Sequence, residues 1–338
     1  MALKTDTHSI AKLRQAWKLA GLMLLIYGLP LHAQAPHPKT LADVTKESVA
    51  RGAQAKAAAA TLPNTNGSYK TFDIPGSSYM QAEGINARGE IVGAYQDTAN
   101  NLQNFVLKDG NLHLINPQTG MPEYLFLTTQ VAINSEGDIV ATYADGNGVS
   151  RGFLLSEGEY TYINAPGASQ LCAGGGTWPA GINASGDIVG WYVTQECFLH
   201  AFLLRDGGLT TFDVPIALGA QPGTTQASGI NERGDIVGQY SDTTGNSHGF
   251  LLTKGNFSTI DVSGPLAQTF PLGINSRGEI VGITFATGGF LMSHGTITSI
   301  DVPGSSFTVP YGINEQGDIV GTYFDSNNNT HGFVLGRR

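Results

Sequence analysis

Three histidines, His200, His248 and His331, fall at one place in a repeated phrase, each just before Ala-Phe or Gly-Phe. Imidazoles titrate near neutrality and bind metals, so proton transfer and metal ligation are the chemistries to weigh. Gln103, Arg151 and Gly288 occupy the same place in three other copies, which rules out any mechanism needing a complete histidine ring. Copies of a repeat also hold equivalent side chains apart, so neither a shared ion nor any other metal site is expected. Other acid/base candidates are the carboxylates that vary between copies, Glu83, Glu123 and Glu196. Carboxylates that do not vary, Glu90, Asp138, Asp187, Asp235, Glu279 and Asp318, all follow a turn glycine and read as structural, as do the asparagines four residues before them. Asp97, Asp145, Asp242 and Asp325 open segments rich in Asn, Gly and Thr but lack the ligand spacing of a calcium loop. They read as turns. Gly245 to Gly249 matches Gly-x-Ser-x-Gly, yet a strand-like run follows where a nucleophile elbow needs a helix. No cofactor motif is present, and none is expected.

The second class of candidates is aromatic. Tyr79, Tyr124, Trp178, Trp191, Phe270, Phe307 and Tyr311 lie in or beside the segments that differ between copies. Gathered on one face they would form a stacking surface for a sugar or peptide, the plainer reading being local core. Cys172 and Cys197 flank the third copy's Gly-Ile-Asn hairpin; in an exported chain with two cysteines one disulfide is the sole intramolecular choice.

What must position these residues is the repeat. Gly-Ile-Asn-x-x-Gly-Asp/Glu-Ile-Val-Gly-x-Tyr, a spacer, His-Gly-Phe-Leu-Leu, a glycine turn and Thr-x-Asp-Val-Pro recur six times, with the motif isoleucine at Ile85, Ile133, Ile182, Ile230, Ile274 and Ile313. Repeats of roughly 40 to 50 residues are the size of propeller blades. The Ile-Val-Gly-x-Tyr and Gly-Phe-Leu-Leu runs are apolar throughout, as in strands covered on both faces, whereas the Thr-x-Asp-Val strand alternates, as an outer strand does. The expected fold is all-β, a six-bladed propeller of four-stranded antiparallel blades with repeats beginning near 84, 132, 181, 229, 273 and 312. The sixth copy lacks its alternating strand, and Tyr69 to Pro75 supplies one, so the N-terminal strand is expected to close the last blade. Tight turns then lie on one face and variable connections on the other, where binding is expected.

Residues 1–35 read as an export signal, with Lys4, Lys12, Arg14 and Lys18 ahead of an apolar run from Leu19 to Leu31 and Ala33-Gln34-Ala35 after it. Residues 36–67 read as a linker or loose tail, and 68–338 as the propeller. The full chain carries a net charge of −9. Nucleic acid is therefore not an expected partner, since phosphate recognition needs a basic surface. Once the signal is removed, no span crosses a membrane.

His200-Ala201-Phe202, His248-Gly249-Phe250 and His331-Gly332-Phe333, with Gly-Ile-Asn-x-x-Gly-x-Ile-Val-Gly at 181–190 and 229–238, resemble the bacterial HAF-type extracellular repeat family. The resemblance covers nearly all of residues 68–338. It implies an exported, propeller-like protein and transfers no catalytic residues. The leading expectation is a secreted or periplasmic, non-catalytic binding module for polysaccharide or a surface partner. The alternatives are a polysaccharide lyase or hydrolase at the axial mouth of the variable face, and a structural envelope protein.

Overall fold

The Ile-Val-Gly-x-Tyr runs form strands whose residues are buried almost throughout, as at Ile188–Val193 and Ile236–Ser241, because branched and aromatic side chains cover both faces of the sheet. The computed structural model describes residues 67–99, 102–115, 127–145, 147–172, 175–262, 268–285 and 287–337. The proposed leader, most of residues 36–67, and Glu123 and Tyr124 lie outside the described residues.

The chain is an all-β propeller with four-stranded antiparallel blades. In the first blade the strands Tyr79–Ile85, Ile91–Gln96, Leu102–Lys108 and Asn111–Ile115 pair in chain order. The stretches from Gln226 to Ile260 and from Thr269 to Ile300 repeat that order. Between Leu127 and Phe212 two such four-strand units share an eight-stranded sheet, joined through one parallel pairing, Gly176 with Ser150. In the remaining sheet Phe307–Ile313, Ile319–Phe324 and Thr330–Gly336 are followed by Ser68–Phe72, which pairs from Ser68↔Gly336 to Phe72↔Gly332. The strand that ends in Gly-Ile-Asn is innermost. The strand near the N-terminus is the outer edge of the sheet built by the C-terminus.

Two kinds of core hold the blades. Between neighbouring sheets lie the phenylalanines of the third strands, Phe105, Phe153, Phe202, Phe250, Phe290 and Phe333, each 0% exposed. At about 2 to 3 kcal/mol per fully buried phenylalanine, this repeated position is a large share of the stabilisation. The second core joins Trp178 and Trp191 to Phe270, Ile283, Phe307 and Val309, and the sheet that holds the tryptophans is not a neighbour of the two that hold the others. Such a cluster has to cross the centre of the ring.

The turns after the inner strands link blade to blade. In all six copies the Asn side-chain carbonyl accepts the N–H of the residue four positions on, at 2.8 to 3.1 Å. Its Nδ2 donates to that residue's carboxylate, at 2.6 to 3.4 Å. The same Nδ2 donates to the backbone oxygen of the next copy's asparagine in five cases, Asn134 to Asn183, Asn183 to Asn231, Asn231 to Asn275, Asn275 to Asn314, and Asn314 to Asn86. The carboxylates and asparagines that repeat are thus a structural belt, as their repetition implies.

Candidate functional site

Each inner strand breaks register just before Gly-Ile-Asn. The shift falls between Ala82 and Gly84, Pro179 and Gly181, Ala227 and Gly229, Pro271 and Gly273, and Pro310 and Gly312, with a wider one between Leu127 and Val131. A bulge of this kind re-aims one side chain. The residues so placed are Glu83, Ala180, Ser228, Leu272 and Tyr311, and they line one axial cavity of about 120 Å³ together with Val131, the paired residue that ends the wider shift. The glycine that follows is required by crowding where the inner strands converge. A Cβ on Gly273 would come 2.8 Å from the Tyr311 backbone oxygen, and one on Gly312 2.8 Å from that of Glu83.

The cavity opens among the Asn-x-x-Gly turns, with Asn86, Asn134, Asn231, Asn314, Glu232 and Glu315 at its rim and the motif isoleucines in its wall. This mouth is opposite the variable face, where binding is expected. Glu83 is 9% exposed. Its Oε2 accepts the Val131 N–H at 2.7 Å, while its Oε1 has no partner. Burial pushes its carboxyl well above the usual carboxylate range, with the Val131 N–H pulling weakly the other way. Ser228 is 8% exposed and its Oγ is also unpartnered. The Tyr311 Oη accepts from Gln81 Nε2, and burial first, then the Glu83 charge, raise its pKa. At the rim both oxygens of Glu232 accept the Ala184 N–H, at 2.8 and 3.0 Å, and Glu315 takes the N–H of Ser276 at 3.0 and 3.1 Å. Burial raises the Glu232 pKa, and Glu315, Glu136 and Asp187 add to it against the Ala184 hydrogen bond. The site is a buried carboxyl and a free hydroxyl inside an acidic rim.

The six described aromatic candidates are buried, as the plainer reading, local core, has it. Tyr79, Trp178, Trp191, Phe270 and Phe307 are 0 to 2% exposed and Tyr311 is 8% exposed. Trp178 and Trp191 stack on each other, centroids 4.9 Å apart, within the central core. Trp191 lies on the second strand, Ile188–Val193; for the others the cause of burial is that the inner strands begin several residues ahead of Gly-Ile-Asn, at Tyr79, Gly176, Thr269 and Phe307, so these rings are strand residues.

The histidines lie on third strands, and each bonds the aspartate that follows the outer strand paired with it: His200 to Asp213 at 2.7 Å, His248 to Asp261 at 2.8 Å, His331 to Asp73 at 2.7 Å. Each ring also packs on a tyrosine, Tyr192, Tyr240 or Tyr323. In the second copy Arg151 replaces the histidine and reaches Asn164 at 3.4 Å, so the pair changes together. Burial lowers the His248 pKa, and Asp261 and Asp242 outweigh it, leaving it raised. These are latches between strands. The aspartates of the suspected calcium segments are likewise taken by backbone, Asp242 Oδ1 by Thr244 and Asn246 and Asp325 Oδ1 by Asn327 and Asn329. No group of three His, Cys, Asp or Glu among the described residues could hold a metal ion.

On the opposite, variable face Cys172 and Cys197 form a disulfide. Glu196 is exposed beside it. So are Leu171, at 89%, and Phe198, at 49%, which flank the two cysteines in sequence. The Phe198 ring covers Gly223, in the connection that also exposes Ile216 at 71%. Sequence reading passed over these apolar residues because no repeat or aromatic cluster marks them; the signal was their position next to the cysteines.

No family model matches the chain, and no curated protein does either. Solved structures resemble it weakly. AofleA from Arthrobotrys oligospora is 10% identical over 80% of this chain and 86% of its own, with a TM-score of 0.46. A variant of the Aleuria aurantia lectin in complex with Fucalpha1-6GlcNAc is 13% identical over 79% and 97%, TM-score 0.47. A gluconolactonase from Xanthomonas campestris is 11% identical over 81% and 97%, TM-score 0.45.

Proposed function

We propose that this chain is an exported binding module of the HAF-type repeat kind, a six-bladed propeller that engages polysaccharide through its variable face. The count of six follows from treating the eight-stranded sheet as two blades, since a single residue pair joins its halves. The observation that carries the functional reading is the group of exposed apolar side chains, Leu171 and Phe198 on the two connections that the disulfide joins, and Ile216 on the connection whose Gly223 the Phe198 ring covers. Apolar side chains held out by a covalent staple on variable loops are the usual make-up of a recognition surface. The disulfide also supports an oxidising compartment, and with it the reading of residues 1–35 as a cleaved export signal and 36–67 as a tether. Among the described residues no helix is long and apolar enough to cross a membrane.

A glycan array probed with residues 36–338 tests this. Binding to a restricted set of polysaccharides, lost in Phe198→Ala and Leu171→Ser variants of unchanged melting temperature, is the expected result. Absence of any glycan signal, or binding indifferent to both substitutions, would overturn it.

A further inference from the structure

The two mouths of the ring differ in charge. On the variable face the hairpins between second and third strands begin with Asp97, Asp145, Asp242 and Asp325, and the disulfide hairpin holds Glu196. The outer strands also end there, giving way to the latch aspartates Asp73, Asp213 and Asp261, which stay exposed although each bonds a histidine. Among the described residues no lysine or arginine falls in any connection on this face. Arg151, at the start of a third strand, is held by Asp145 at 3.0 Å. His200, His248 and His331, if protonated, would each offset a single carboxylate. Arginines gather at the opposite mouth, where Arg88, Arg205, Arg233 and Arg277 are bound to carboxylates of the asparagine belt.

We infer that the polysaccharide this face takes is one that carries primary amines, its sugar rings lying on Leu171, Phe198 and Ile216 and its ammonium groups drawn to the carboxylates of the same connections. The inference rests on the reading of this face as a glycan-binding surface and names the class of glycan. The carboxylates are not themselves the site. The apolar side chains are, and the charge decides which polymer can come to them. A surface of one sign gathers opposite charge and repels its own, over a Debye length of about 8 Å at physiological salt. A uronic or sulfated chain would be repelled; a neutral chain would gain ordinary hydrogen bonds only, whereas an ammonium gains the stronger, charge-assisted kind. Carboxylate and apolar group are also close along the chain. Glu196 stands two residues before Phe198 and Asp213 three before Ile216, and the connection that bears Ile216 meets Asp242 through the Ala220–Asp242 bridge. An amino sugar offers the complement, an apolar C–H face with an ammonium on the same ring.

The test is calorimetric titration of residues 36–338 with soluble oligomers of glucosamine at about pH 6, above the ordinary carboxylate range and acidic enough to keep sugar amines protonated. The oligomers with free amines should bind, more weakly as salt rises. The same oligomers N-acetylated should bind roughly tenfold more weakly, since several charged contacts are lost together. Oligogalacturonate should not bind. Glu196→Gln keeps the size of an exposed side chain, so the melting temperature should hold while the free-amine oligomers bind roughly two- to fivefold more weakly and the acetylated ones as before. Equal binding of free-amine and acetylated oligomers, or a preference for galacturonate, overturns the inference while the glycan-binding reading stands. An oligolysine of equal charge that binds as tightly overturns it too, because charge alone then suffices. Absence of binding to every glycan overturns both.

Discussion

Glu83 stands where the repeat tolerates anything: the equivalent residues are Val131, Ala180, Ser228, Leu272 and Tyr311. Its raised pKa has a sign that can be followed into stability. Unfolded, the side chain ionises near its ordinary value; folded, it keeps its proton to higher pH, so above about 4.5 folding must take up a proton and stability falls as pH rises. Glutamine carries no such proton. Glu83→Gln should therefore melt higher than the parent at pH 8, with the gap closing toward pH 4. Thermal melts across that range check it, and a gap that does not depend on pH would contradict the assignment. His248 works in the opposite sense. Its raised pKa contributes stability that is present below about 6.5 and lost as pH rises through the folded value.

Among the elements, the Asn-x-x-Gly turn does more than close a hairpin. Asn231 accepts from the N–H groups of Arg233 and Asp235 and donates to the Asp235 carboxylate and to the Asn275 backbone oxygen of the next copy. It is 2% exposed, so none of these bonds is replaced by water at no cost. Asn231→Ala should cost about 2 to 3 kcal/mol of unfolding free energy, whereas Asn256→Ala, on an exposed outer strand, should stay within about 0.5 kcal/mol. Chemical denaturation of the two variants decides between a structural belt and a decorative one. The carboxylates of the belt lose their contribution in acid. Burial opposes charge on Glu279, yet Asn275, Arg337 and Arg277 hold its pKa down to about 2, so stability falls as pH drops from about 4.5 toward that value.

For the whole molecule, the sequence carried most of the architecture because a propeller states its blade over and over. Runs without alternation marked the buried strands, and the missing alternating strand after Phe333 matched the spare one at Tyr69 to Pro75. That pairing is a prediction in itself. Removing residues 68–75 strips the outer edge from the C-terminal sheet and the Asp73 partner from His331. The melting transition should broaden and shift down, and an unchanged calorimetric trace would mean the ring does not depend on this strand. What the sequence hid was depth. Trp178 and Phe270 were read as loop residues because the repeat words begin after them, and nothing in a linear pattern says that a strand has started five residues early. The cavity was hidden for a related reason. Its lining residues differ at every copy, and variation just before Gly-Ile-Asn is visible only once the bulge shows that position to be the one facing the axis.

The pairing of Ser68 with Gly336 also gives the ring an orientation. The last strand runs toward the turn face, and its antiparallel partner therefore starts there. Both ends of the described chain leave from the outer rim on the side of the asparagine turns. A molecule held by whatever precedes residue 67 would hang by its edge, both mouths clear, with the asparagine turns toward its support and the disulfide loops pointing outward.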